Sequence, residues 1–130
     1  MTRIISSLIL VWALFSRSAV AHEVRHSTIP TGLLGAWAEN AELCAAKDKS
    51  IILIEPATYG DASGSCKVYW IVETPGSEGT NYAVHAQCTS ASQPAKTQIV
   101  NIVIRPQGND QAKMGRSFQD LKTYQRCSAQ

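Results

Sequence analysis

Residues 66–88 read CKVYWIVETPGSEGTNYAVHAQC, two runs rich in β-branched and aromatic residues on either side of a Pro-Gly-Ser-Glu-Gly turn. Runs of this kind favour extended strands, and a turn of this composition joins antiparallel neighbours. When the turn at residues 75–79 is centred on Ser77, Cys66 lies directly opposite Cys88. The segment therefore predicts a β-hairpin within an antiparallel sheet.

The register of this hairpin collects apolar side chains on one face. The predicted opposed pairs on that face are Val68–Ala86, Trp70–Val84 and Val72–Tyr82. The other face is more polar and carries Lys67, Tyr69, Ile71, Glu73, Ala83, His85 and Gln87. A further strand is predicted at residues 97–105, after a turn centred on Gln93. It places Val100, Ile102 and Ile104 opposite Ala86, Val84 and Tyr82, which extends the same apolar face. A slip of one residue would move this set into solvent, so the pattern specifies the register strongly.

The rest of the chain extends the meander. Residues 51–58 predict a strand, residues 59–64 a turn, and residues 121–127 a closing strand that a helical turn could precede. Asn40 is a suitable N-cap for a short helix at residues 40–47. The fold predicted is all-β: a small antiparallel meander of about five to seven strands that closes into a barrel or a sandwich.

Four cysteines, an even number, predict two disulfides in an exported domain of this size. Cys66 and Cys88 are cross-strand neighbours in the predicted hairpin, which favours that pair together with Cys44–Cys127. The rival pairing is Cys44–Cys66 with Cys88–Cys127, because the strands ending at Cys88 and Cys127 run in the same direction in a meander.

The first 21 residues have the pattern of a cleaved signal peptide. Arg3 precedes an almost wholly apolar run at residues 4–15, and Ala-Val-Ala at residues 19–21 suits signal peptidase. The apolar run is too short for a membrane span. We therefore expect a periplasmic or secreted protein that begins at His22, with a flexible arm at residues 22–33, a single disulfide-stabilised domain at residues 34–130 and no membrane insertion after cleavage.

The charge balance bears on the class of partner. Arg3 and Arg17 lie in the signal segment, so ten of the 12 basic residues remain to balance the 10 acidic ones. Nucleic acids and anionic membranes usually bind to a basic patch, and no basic run occurs in this chain. The sequence predicts another protein as the partner and argues against nucleic acid.

Leu34-Gly35-Ala36-Trp37, ahead of antiparallel strands, resembles the opening of lipocalin-like barrels. The layout of signal peptide, Gly-x-Trp, two disulfides and meander looks like the small barrel inhibitors that Gram-negative bacteria export against lysozymes and metalloproteases. The resemblance implies a non-enzymatic, inhibitor-like binding module, with a lipocalin-type small-molecule carrier as the alternative. The residues themselves predict that Trp37 is a core aromatic that plugs the barrel or sandwich.

Loop tips are the predicted contacts of such a binding module, because rigid scaffolds present function on loops. The residues singled out are Asp61, Glu73, Ser77 and Glu78, whose carboxylates would suit a basic partner. No catalytic residues are predicted, since the chain has no Gly-x-Ser-x-Gly motif, no unpaired cysteine and no paired-carboxylate motif.

Histidines raise one cofactor hypothesis. If cleavage follows residue 21, the α-amine and imidazole of His22 form a chelating pair that suits copper, as in the histidine-brace proteins that this terminus resembles. His26 or His85 would supply a third ligand. The alternative is an unstructured arm that binds no metal, and the protein is then expected to need no cofactor.

Overall fold

The computed structural model describes residues 22–128. Within this range the chain forms nine strands, one short helix and two 3-10 turns, at Thr31–Leu33 and Phe118–Asp120. The strands are β1 Val24–His26, β2 Gly35–Ala38, β3 Ile52–Glu55, β4 Thr58–Asp61, β5 Gly64–Thr74, β6 Asn81–Ser90, β7 Thr97–Pro106, β8 Gln111–Gly115 and β9 Lys122–Arg126, and the helix is α1 Ala41–Ala45. The predicted signal peptide lies outside the described residues, among which no helix is long and apolar enough to cross a bilayer.

Strands β2 to β9 form an up-and-down antiparallel barrel. Each strand pairs with the next along the chain, and β9 returns to pair with β2, where Trp37 lies opposite Arg126. The predicted all-β meander is confirmed, and of the two architectures expected, the closed barrel is the one formed. Its eight strands exceed the five to seven expected, because β2 and β8 were not recognised in the sequence and the segment expected as one strand at residues 51–58 forms two.

The hairpin of β5 and β6 has the predicted register at its Cys66 end only. Cys66 faces Cys88 and Val68 faces Ala86, but a bulge after Val68 then shifts the pairing. Trp70 consequently faces His85, so the predicted Trp70–Val84 and Val72–Tyr82 pairings are wrong. The extra residue turns Ile71, which has no exposed surface, into the barrel in place of Trp70.

The next hairpin, β6 with β7, has the predicted register throughout: Ala86 faces Val100, Val84 faces Ile102, and Tyr82 faces Ile104. By contrast, the strand expected at residues 51–58 is two strands, β3 and β4, joined by a tight turn at residues 56–57. Pro56 cannot donate a backbone hydrogen bond to a strand ladder, which is consistent with a turn there. The turn expected at residues 59–64 shortens to residues 62–63.

One end of the barrel is closed by the segment before β2. Trp37 is buried, and its Nε1 donates a hydrogen bond to the carbonyl of Leu33 at 3.1 Å. The guanidinium of Arg126 lies over the Trp37 ring, 4.3 Å from its centroid, and donates to the carbonyls of Leu34 and Gly32. Trp37 is therefore a core plug, as its position in the sequence suggests.

The segment at residues 22–33 differs from the flexible arm that the sequence predicts. Val24–His26 pairs with β5, and Ile29 and Leu33 are almost fully buried. Ile29 also donates its backbone N–H to the carbonyl of Pro56 at 2.9 Å. Two large apolar side chains and a backbone ladder hold this segment against the barrel. The prediction of a flexible arm was wrong because it rested on the largely polar composition of the segment and overlooked these two side chains.

Both preferred disulfides are confirmed. Cys66–Cys88 joins neighbouring strands β5 and β6, with Cα atoms 3.9 Å apart, and Cys44–Cys127 joins α1 to the residue after β9, with Cα atoms 5.4 Å apart. Helix α1 falls inside the predicted residues 40–47, and the Asn40 side chain caps it by accepting from the N–H of Leu43 at 2.9 Å. The second disulfide thus fastens the helix to the outside of the barrel.

Candidate functional site

The bulge in β5 places two aromatic side chains next to each other on the outer surface of the barrel. Val68 and Ile71 both point into the core, so the two residues between them, Tyr69 and Trp70, lie outside. Tyr69 has 41% of its surface exposed. Bulges commonly re-aim side chains near functional sites, and this one gives the outer face a pair of rings that regular alternation would have split between core and solvent.

Trp70 is fixed in a stack of three side chains. Its ring lies against the His85 imidazole, with centroids 3.9 Å apart and planes inclined by 12°, and the Arg25 guanidinium lies 5.2 Å from the Trp70 ring centroid. His85 in turn shares a hydrogen bond with Asn101, with Nδ1 and Oδ1 3.0 Å apart. The stack spans β1, β5 and β6, and the hydrogen bond to Asn101 ties it to β7, which leaves these side chains little freedom.

Tyr69 begins a second row of hydrogen-bonded side chains on the outer surface of the barrel. Its hydroxyl donates to Oε1 of Gln87 at 2.6 Å, and Nε2 of Gln87 donates to the Thr97 hydroxyl at 3.1 Å. Ile99, the cross-strand neighbour of Gln87, has 56% of its surface exposed. We call the combined surface the aromatic wall; its members are Arg25, Lys67, Tyr69, Trp70, His85, Gln87, Thr97, Ile99 and Asn101.

The permanently charged members of the aromatic wall are both cations. Arg25 lies over Trp70, and the Lys67 ammonium lies 5.8 Å from the Tyr69 ring centroid. The carboxylate further along β5, Glu73, is engaged by His26 and by the hydroxyl of Tyr82. The wall therefore presents rings and positive charge together.

The open end of the barrel, which we call the mouth, is the second candidate region. Arg116 reaches Asp61 across it, with Nη2 and Oδ2 3.5 Å apart, and separates two clefts. The first, the rim cleft, has a volume of about 500 Å³ and lies between Arg116 and the turn from β6 to β7, over the Cys66–Cys88 disulfide. The second, the tyrosine cleft, has a volume of about 360 Å³ and is lined by Tyr59 and Tyr124.

Both tyrosines of the tyrosine cleft ionise less readily than usual. Burial raises the pKa of Tyr59, and the nearby negative charge of Asp61 raises it further. Burial likewise raises the pKa of Tyr124, with Glu39 and Asp61 adding to the effect. Both hydroxyls consequently remain neutral hydrogen-bonding groups at physiological pH.

The four loop residues predicted as contacts do not come together. Asp61 lies at the mouth, whereas Glu73, Ser77 and Glu78 lie at the far end of the β5–β6 hairpin. Each carboxylate faces a basic side chain: Asp61 faces Arg116, Glu73 lies 2.6 Å from His26, and Glu78 lies 2.6 Å from Arg105. The four residues therefore do not form one contiguous acidic surface.

Two of the histidines proposed as copper ligands are engaged by other side chains. Nε2 of His26 is bonded to Glu73, and the His85 ring is stacked on Trp70. His22 is exposed at the start of the described chain. Within residues 22–128, no three His, Cys, Asp or Glu side chains are grouped so that they could hold a metal ion.

Sequence reasoning missed the aromatic wall and Arg116. A signal for the wall was present, because five apolar residues in a row, Val68 to Val72, break the strict alternation of a half-buried strand. Arg116 had no such signal, since its role depends on Asp61, which lies 55 residues earlier in the chain.

The chain matches no protein-family model, no curated protein and no solved structure. Its resemblance to lipocalin-like barrels and to exported inhibitors rests on Gly35-x-Trp37 and on layout. The aromatic wall and the mouth are therefore the features that bear on its function.

Proposed function

We propose that this protein is an exported, non-enzymatic binding module, inhibitor-like in format, that uses its aromatic wall to bind an acidic surface on another protein. The observation that carries the proposal is the Tyr69–Trp70 bulge, which sets two rings side by side on the outer surface with Arg25 and His85 packed against Trp70.

The composition of the aromatic wall is that of an interface centre. Tryptophan, tyrosine and arginine are the residues that most often dominate the binding energy at protein interfaces. Because Trp70 is already held between Arg25 and His85, and Tyr69 by Gln87, binding would immobilise few additional side chains. The wall is thus preorganised for contact.

Charge indicates the chemistry of the partner. Arg25 and Lys67 are the wall's permanently charged members, and both are cations. A complementary partner would present carboxylates around an apolar centre that meets Tyr69 and Ile99. Such complementarity speeds association and excludes wrongly charged partners.

Export is supported by two observations. The pattern of residues 1–21 is that of a signal peptide, and the two disulfides are compatible with an oxidising compartment such as the periplasm or the exterior of the cell. A partner would then be another protein of that compartment.

A lipocalin-type carrier has less support. Such a carrier needs space inside the barrel, but the inward side chains of Ile71, Val84, Ile102 and Ile104 have no exposed surface. The rim cleft and the tyrosine cleft both lie at the mouth and are not lined by any of these four residues.

Site-specific photo-crosslinking in the exporting cell tests the proposal. A photoreactive phenylalanine analogue at position 69 or 99 should crosslink one and the same protein, identified by mass spectrometry. Leu53 is the matched control, since it is an apolar strand residue with 49% of its surface exposed that lies outside the aromatic wall, in β3, two strands away from β5. Excess unlabelled protein should abolish the crosslink, whereas excess Tyr69→Ala/Ile99→Ala protein should not. Equal crosslinking from position 53 would refute the proposal.

A further inference from the structure

The geometry points to a second binding site, the rim cleft, for a sugar carboxylate that is held by Arg116 and Lys96. The site lies at the mouth and shares only Thr97 with the aromatic wall. It does not depend on the proposed function, and either could fail alone.

The two cations of the rim cleft have unused hydrogen-bonding capacity. Arg116 makes two long contacts, at 3.5 Å to Asp61 and at 3.8 Å to the sulfur of Cys88, although a guanidinium has five N–H donors. Among residues 22–128, no carboxylate lies within 4.0 Å of the Lys96 ammonium. With Asp61 partly offsetting Arg116, the lining retains excess positive charge, which favours an anion.

The neutral side chains of the rim cleft make it more than an ion site. The amides of Gln93 and Gln98 line it beside the two cations, whereas the lining hydroxyls of Ser63 and Ser90 are already hydrogen-bonded, to Asp61 at 2.5 Å and to Ser92 at 3.0 Å. The Gln93 and Gln98 amides make no side-chain hydrogen bond within the described residues, so they are free to meet a ligand. Amides and hydroxyls both donate and accept, as sugar hydroxyls do.

The size of the rim cleft favours a sugar acid over a simple ion as its ligand. The cleft volume of about 500 Å³ lies within the range of about 300–1,000 Å³ that is usual for small-molecule sites. A bare phosphate or sulfate would leave most of this space to water, and an apolar ligand would leave the cations and amides unpaired. A sugar carboxylate fits both the charge of the two cations and the hydrogen-bonding amides of Gln93 and Gln98. Because the cleft is open, the acid can be free in solution or be one residue of an acidic glycan.

Titration of the ¹⁵N-labelled, disulfide-intact protein with D-glucuronate tests the inference, and uncharged D-glucose is the matched ligand. We expect glucuronate to shift the amide signals of Gly64 and Ser90, next to the cleft, and to bind about tenfold or more tightly than glucose. Affinity should fall as salt is added. A parallel titration compares trigalacturonate with free galacturonate and so distinguishes the two sources of the acid. Tighter binding of trigalacturonate assigns the site to a glycan, and equal binding assigns it to the free acid.

Three variants locate the site. Arg116→Gln and Lys96→Gln should each weaken glucuronate binding by about threefold or more, since each removes one protein cation that would pair with the carboxylate of the ligand. Lys122→Gln is the control, because Lys122 is a basic residue of the tyrosine cleft with 70% of its side chain exposed. Lys96 lies in an exposed turn, so its substitution leaves the fold intact even if loss of Arg116 disturbs the mouth. Equal affinity for glucose, unchanged binding in both variants, or no binding of glucuronate would each overturn the inference.

Discussion

The indole of Trp70 and the imidazole of His85 lie face to face across β5 and β6, with ring centroids 3.9 Å apart. This contact exists because the bulge after Val68 moves Trp70 out of register with Val84 and onto the outer surface. A regular strand would have directed the indole into the barrel, where Ile71 now lies. The aromatic wall is therefore a product of one extra residue in one strand.

The stack should be measurable as a coupling energy. Trp70→Ala and His85→Ala should each destabilise the protein, and the double variant should lose less than the sum of the two, by about 0.5–1.5 kcal/mol. Chemical denaturation of the four proteins in the cycle gives this value. Additive losses would mean that the two rings lie in contact without stabilising each other.

Gly64 should tolerate no side chain. Its φ is +150°, and a Cβ there would overlap the carbonyl oxygen of Thr89 in the neighbouring strand. We expect Gly64→Ala to lower the free energy of unfolding by about 2 kcal/mol or more, because backbone strain and a clash act together. Gly32 has open space where a Cβ would lie and no positive φ, so Gly32→Ala should change stability by less than about 0.5 kcal/mol. Similar thermal melts for both variants would contradict this account.

The two disulfides should stabilise the fold unequally. Cys44–Cys127 spans a sequence separation of 83 residues and Cys66–Cys88 one of 22. The chain-entropy model then predicts that removing them costs about 4.6 and about 3.4 kcal/mol, respectively. Denaturation of the Cys44→Ala/Cys127→Ala and Cys66→Ala/Cys88→Ala variants measures both. A larger loss for the shorter loop would show that packing of the buried Cys66 outweighs loop entropy.

Tyr59 should make the protein sensitive to alkali. Its pKa is raised in the folded state, so the unfolded chain ionises first, from about pH 10, and the stabilising contribution present below that pH is lost as the pH rises. One such group lowers the free energy of unfolding by up to about 1.4 kcal/mol per pH unit. Urea denaturation between pH 8 and 11 should show a shallower loss in Tyr59→Phe, and Tyr82 and Tyr124, whose pKa values are also raised, supply the remaining slope. If the free energy of unfolding fell equally with pH in the wild-type protein and in Tyr59→Phe, Tyr59 would be ruled out as a source of the alkaline instability.

The amino-acid sequence determined the features that depend on near neighbours. Alternation around one short turn set Cys66 opposite Cys88, and alternation around the next set Tyr82 opposite Ile104. The same alternation favoured Cys66–Cys88 with Cys44–Cys127, and the structure decided between this pairing and its rival. The two hairpin registers each span a single turn, so the local pattern contains the information that sets them.

Only the tertiary structure decided the closure of the barrel, the wall and the mouth. Trp37 and Arg126 meet because β2 pairs with β9, and Asp61 meets Arg116 because closure brings distant strand ends to one rim. The bulge that exposes Trp70 lies where β5 must pair with β6 along its whole length while also bordering β4 and then β1. These pairing requirements come from strands far apart in the chain, so the alternation of residues within a short segment cannot predict them.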